Sequence, residues 1–60
     1  MTTNPGISIE IVAELLVTNS EVNSKGMLVA WKLDATPIIA ETTGKLRNKA
    51  RRYAATLARK

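Results

Sequence analysis

Residues 7–17 read Ile-Ser-Ile-Glu-Ile-Val-Ala-Glu-Leu-Leu-Val, and two secondary structures compete for them. Every odd position is apolar: Ile7, Ile9, Ile11, Ala13, Leu15 and Val17. The even positions set Ser8, Glu10 and Glu14 against Val12 and Leu16. Alternation of this kind turns one face of a strand toward a core, and five β-branched residues in these eleven suit a pleated, half-buried surface. The same residues also place Ile9, Val12, Ala13 and Leu16 on one helical face with Glu10 and Glu14 opposite. Ala13-Glu14-Leu15-Leu16 has helix-forming composition. The strand is the reading carried forward; a helix over 8–18, giving an all-α chain, is the alternative.

Working downstream, Asn23-Ser24-Lys25-Gly26 has Asn first and Gly fourth, the pattern of a type I turn closed by a left-handed residue. Met27 to Leu33 then alternates, with Met27, Val29, Trp31 and Leu33 on one face and Leu28, Ala30 and Lys32 on the other, as in a half-buried strand. The two runs predict an N-terminal β-hairpin over 7–33. Trp31 and Tyr53 are the only large aromatics, and the simplest role for Trp31 is the core anchor beneath a helix. Upstream, Asn4-Pro5-Gly6 punctuates a flexible lead-in over 1–6.

Beyond the hairpin, Thr36-Pro37 reads as an N-cap followed by a first helical position, where a missing N–H costs nothing. A long helix is predicted over 36–59. Leu46, Ala50, Tyr53 and Leu57 step by four, three and four along it, and Ile39 extends the stripe upstream. So narrow a stripe suits one partner surface or another helix. Gly44 costs about 1 kcal/mol relative to Ala inside a helix and is a point where the helix can divide. The fold class is therefore α+β, in a single domain over 1–60.

Sixty residues make a thin core, since a chain of this size buries only about 60% of its unfolded surface. There is no Cys to form a disulfide, and neither Cys nor His to hold structural zinc. Support is expected from homo-oligomerisation or docking into a larger assembly, through Ile39, Leu46, Ala50, Tyr53 and Leu57.

The charge is split. Residues 44–60 hold Lys45, Arg47, Lys49, Arg51, Arg52, Arg59 and Lys60 and no acid, a balance of +7. Residues 1–43 set Lys25 and Lys32 against Glu10, Glu14, Glu21, Asp34 and Glu41, a balance of −3, for a net +4. A helix that needs only solubility normally mixes signs, so a cationic contact surface is expected. Lys45, Arg47, Lys49, Arg51 and Arg52 are the candidate phosphate contacts. Nucleic acid is the leading partner and an acidic protein surface the other; contacts to phosphate position a protein without specifying sequence.

Enzyme chemistry is not expected. Without His the usual general base and commonest metal ligand are missing, and without Cys there is no thiolate. Gly6, Gly26 and Gly44 form no phosphate-cradling loop. No catalytic residue, cofactor, metal or small-molecule substrate is therefore expected. No apolar run reaches membrane-spanning length and the amino terminus lacks a basic secretory lead, so a cytoplasmic location is expected.

Two local resemblances bear on partners. Residues 11–22, IVAELLVTNSEV, loosely resemble the first helix and turn of helix-turn-helix modules, with Val17 where the turn glycine usually lies. Thr43-Gly44-Lys45-Leu46-Arg47-Asn48 resembles the T-G-x-L-R segment of tailed-phage head–tail joining proteins, over six of the sixty residues. That family's proline lies closer to the Thr-Gly than Pro37 does, and its strands follow where this chain reads as helix. The resemblance implies a structural subunit or adaptor of a larger assembly, located within a virion.

Overall fold

The computed structural model describes residues 6–59. Helix α1 (Ile9–Thr18) leads into strands β1 (Glu21–Val22), β2 (Leu28–Trp31) and β3 (Pro37–Ala40), and helix α2 (Thr43–Ala58) follows. The fold is α+β, but residues 7–17 form no strand and the hairpin does not start there. The helical alternative for this segment holds, inside an α+β chain rather than an all-α one.

Local chemistry explains α1. Ser8 is its N-cap, and the Ser8 hydroxyl accepts a hydrogen bond from the Ile11 amide at 3.3 Å. At the other end the Asn19 side-chain amide donates to the Leu15 carbonyl (2.8 Å) and the Ser20 hydroxyl to the Val17 carbonyl (2.6 Å). Both ends thus satisfy backbone groups that a helix terminus leaves open. As a helix the segment buries Ala13 completely and packs Leu16 and Val17 on the core, which outweighs its β-branched preference.

The sheet is antiparallel in the order β1-β2-β3. The turn expected at 23–26 is present. The Asn23 side-chain oxygen accepts from the Lys25 and Met27 amides (2.9 and 3.0 Å), and Gly26 is left-handed at φ 79°. The second hairpin repeats this design with less obvious residues. Lys32 N–H donates to the Thr36 carbonyl and Ala35 N–H to the Lys32 carbonyl, with Ala35 at φ 69°. Asp34 braces the loop by accepting from the Thr36 amide (3.1 Å) and hydroxyl (2.6 Å).

Thr36-Pro37 therefore opens a strand, not a helix, and Ile39 belongs to β3. Because Lys32 and Thr36 are a bonded pair, Trp31 and Pro37, one step on in the register, have amides that point away from each other. Proline's missing N–H thus lies on the open edge, where it costs no ladder bond. The Ile39 carbonyl faces the same edge, and Lys49 Nζ donates to it at 2.7 Å. A proline and a lysine together blunt an edge that could otherwise recruit another strand.

Helix α2 begins after Thr42, whose hydroxyl accepts from the Lys45 amide at 3.2 Å. Gly44 falls in the first turn and divides nothing. The core lies where α2 crosses the sheet: Leu46 packs on Ala30, Ile38 and Ala40, with Leu16, Val17, Leu28 and Tyr53 around them. Ala13, Ala50 and Ala54 have no exposed surface, and α1 packs most extensively on α2.

Parity in β2 corrects the expectation for Trp31. Leu28 and Ala30 pair with Ala40 and Ile38 and face α2, so Trp31 lies on the other side and is 52% exposed. Alanines let helix and sheet approach; an indole beneath α2 would hold them apart. Leu46 is the anchor.

Candidate nucleic-acid interface

The cations of α2 divide by helical position. At 100° per residue, Arg47 and Arg51 lie on one flank of the buried stripe, and Lys45, Lys49, Arg52 and Arg59 lie on the other.

The first flank faces α1, which presents Glu10 and Glu14 at the same four-residue spacing. Arg47 Nε donates to Glu14 Oε2 at 2.5 Å and Nη2 to Oε1 at 3.5 Å. Arg51 Nη2 and Nε both donate to Glu10 Oε1, at 3.1 and 3.3 Å. These two rungs join helices that lie far apart in the chain. The bond from Arg47, with further help from the charges of Arg47 and Arg51, holds the Glu14 carboxyl below its usual range despite some desolvation. Glu14 in turn raises Arg47. Two of the five candidate contacts are thus engaged within the molecule.

The second flank is different. Lys45 pairs with Glu41 at 3.0 Å, an exposed i,i+4 pair at the helix start. Lys49 binds a backbone carbonyl and has no acidic partner among the described residues. Arg52 makes no ion pair among the described residues. Both line an open groove of about 610 Å³ between α2 and the β2–β3 hairpin. Lys32, the residue after β2, enters the groove from the β2–β3 hairpin, and its ammonium lies 5.6 Å from the centre of the Tyr53 ring. The Tyr53 hydroxyl accepts from the Leu33 amide at 3.0 Å and fixes the hairpin loop against α2.

One acid, Asp34, stands at the rim. Its carboxyl is held below its usual range, first by the Thr36 hydroxyl, then by the Thr36 amide, with a smaller contribution from Lys32. With Asp34 charged, the groove holds Lys32, Lys49 and Arg52 against one acid, a surplus of two positive charges. Lys32 lay outside the sequence-based set because it is distant from the basic helix in the chain. The signal for it was its alternation with Leu28 and Ala30 on the helix-facing side.

The expected oligomer-facing set separates too. Leu46 and Ala50 are wholly covered by their own chain and have no surface for another. Tyr53 and Leu57 are half-buried, and Ile39 is 40% exposed on the outer face of β3. The chain's own sheet and α1 cover Leu46 and Ala50, so of this set only Ile39, Tyr53 and Leu57 keep surface.

The two local resemblances fare as follows. After α1 the chain enters β1 where a helix-turn-helix needs its second helix, so that resemblance does not extend to the fold. Thr43–Asn48 forms the opening turns of α2. No metal-binding cluster of acids is present among the described residues, and no helix among them is long and apolar enough to cross a membrane. No family model, curated protein or solved structure matches the chain.

Proposed function

We propose that this chain is a small non-enzymatic module that binds nucleic acid through its phosphates, with little preference for sequence. The observation that carries the reading is the groove where Lys32, Lys49 and Arg52 converge without ion pairs among the described residues, while the opposite flank of α2 is neutralised by α1. Three cations around an open groove suit a chain of phosphodiesters, which carries no feature requiring a shaped pocket. Arg47 and Arg51 act in this reading as struts between helices. Cysteine-free composition fits a reducing compartment, and we place the protein in the cytoplasm.

The test is fluorescence anisotropy with labelled duplex and single-stranded DNA and with RNA, starting at about 50 mM salt and titrating upward. Three neutralised phosphates give a log–log salt slope of about −2 to −3. Substituting Lys32, Lys49 and Arg52 together by Gln is expected to remove that dependence. Absence of binding at about 50 mM salt, or binding untouched by the triple change, overturns the assignment.

A further inference from the structure

Tyr53 is a wall shared by two grooves. On one side stand Lys32, Lys49 and Arg52; on the other is a hollow of about 460 Å³ that no charged residue lines, bordered by Trp31, Leu33 and Leu57. The bond from the Leu33 amide to its hydroxyl (3.0 Å) holds Tyr53 in this position. The hairpin is divided in the same way. Trp31 and Leu33 border the uncharged hollow, and Lys32 between them borders the cationic groove. Residues one step apart in the chain, about 3.8 Å between Cα atoms, therefore serve the two sides. Leu46, Ile38 and alanines fill the core, which leaves the chain's one indole 52% exposed at the border of a cationic site.

We infer, taking the phosphate-binding reading above as the premise, that Trp31 is a stacking platform for an unpaired base. The preferred ligand is then single-stranded nucleic acid rather than duplex. A single strand carries charge along its backbone and uncharged π faces beside it, the same division that Tyr53 makes between the two grooves. Proteins that hold such strands combine a positive groove for the backbone with aromatic side chains on which bases stack, and that stacking tolerates any sequence. A duplex brings the same phosphates but keeps its base faces stacked inside, away from an indole, and so binds through the cations alone. A purely apolar ligand leaves Lys32, Lys49 and Arg52 unanswered. A single anionic lipid brings one head group to three cations, whereas successive phosphates of a strand can meet each of them.

Trp31 is the only tryptophan, so its emission reports the site directly. The full chain is titrated at about 50 mM salt with three probes: oligothymidylate, an abasic deoxyribose-phosphate strand of the same length, and duplex. Anisotropy reads binding and Trp31 fluorescence reads stacking. Oligothymidylate is expected to quench the emission and to bind at least about fivefold more tightly than the abasic strand, the lower end of what one stacked base contributes. Trp31→Ala should bring oligothymidylate down to the abasic affinity and leave duplex affinity unchanged, while Trp31→Phe, which keeps a ring, should retain most of the difference. Equal affinity for oligothymidylate and the abasic strand, without quenching, overturns the inference and leaves the phosphate reading standing. No binding of any of the three overturns both. Vesicles containing phosphatidylglycerol are the remaining arm: a blue shift of Trp31 with them and no response to oligothymidylate assigns the two grooves to an anionic lipid and likewise overturns the inference.

Discussion

Replacing Leu46 by Ala tests the packing most severely. Leu46 is the largest side chain with no exposed surface, and it is held between α2 and the sheet by Ala30, Ile38 and Ala40. The substitution removes three carbons, worth roughly 0.8 kcal/mol each in transfer free energy. A cavity term adds to this, because alanines on facing elements have no side chain with which to refill the space. Leu→Ala changes at such sites cost about 2.7–5 kcal/mol, and about 4 kcal/mol is expected here. A domain of this size has roughly 3–9 kcal/mol of stability in total. The variant should therefore melt about 15–30 °C lower or lose its cooperative transition. The assay is thermal and urea unfolding followed by far-ultraviolet circular dichroism. Trp31→Ala, on the outer face of β2, is the paired control and should cost under about 1 kcal/mol, as exposed substitutions do. If the Trp31 change proves the more damaging of the two, β2 presents its other face to α2 and the packing described above is wrong.

Two further outcomes are expected. Ala35→Gly should stabilise the chain by up to about 1 kcal/mol, because Ala35 holds a left-handed conformation that suits glycine; a lower urea midpoint would show that the hairpin loop is built otherwise. Acidification should weaken the fold as pH falls below the ordinary Glu14 value of 4.5. The folded-state carboxyls of Glu14 and Asp34 are both depressed, so their contribution is complete above the unfolded-state values and is lost as pH falls through the folded ones. Glu14→Gln should flatten that acid limb in a pH series of urea midpoints, and an unchanged limb would remove Glu14 from the explanation.

Some of this fold was legible from residues and some was not, for identifiable reasons. The turn at 23–26 was readable because Asn and Gly declare their roles within four residues. The later part of α2 was readable because Leu46, Ala50, Tyr53 and Leu57 keep helical period through a run without competing signals. Pro37-Ile38-Ile39-Ala40 was misread because proline opens a helix and an edge strand equally well, and only the pairing with β2 decides between them. The turn that creates that pairing was hidden, since its left-handed position holds Ala35 where glycine would have announced it. In α1 the β-branched residues argued for strand, while Ser8 and Asn19 closed both helix ends with local hydrogen bonds that alternation does not register. The division of the cations was the least accessible. Glu10 and Glu14 share the spacing of Arg47 and Arg51, but the match has meaning only once both segments are known to be helices lying side by side.

The most direct test of the account compares two variants of equal net charge. Lys49→Gln/Arg52→Gln and Arg47→Gln/Arg51→Gln each remove two positive charges from α2. Anisotropy at about 50 mM salt should show at least a tenfold loss of duplex binding for the first pair and about a twofold change or less for the second. Equal losses, or a greater loss in the second pair, would mean that the groove between α2 and the β2–β3 hairpin is not where phosphate binds.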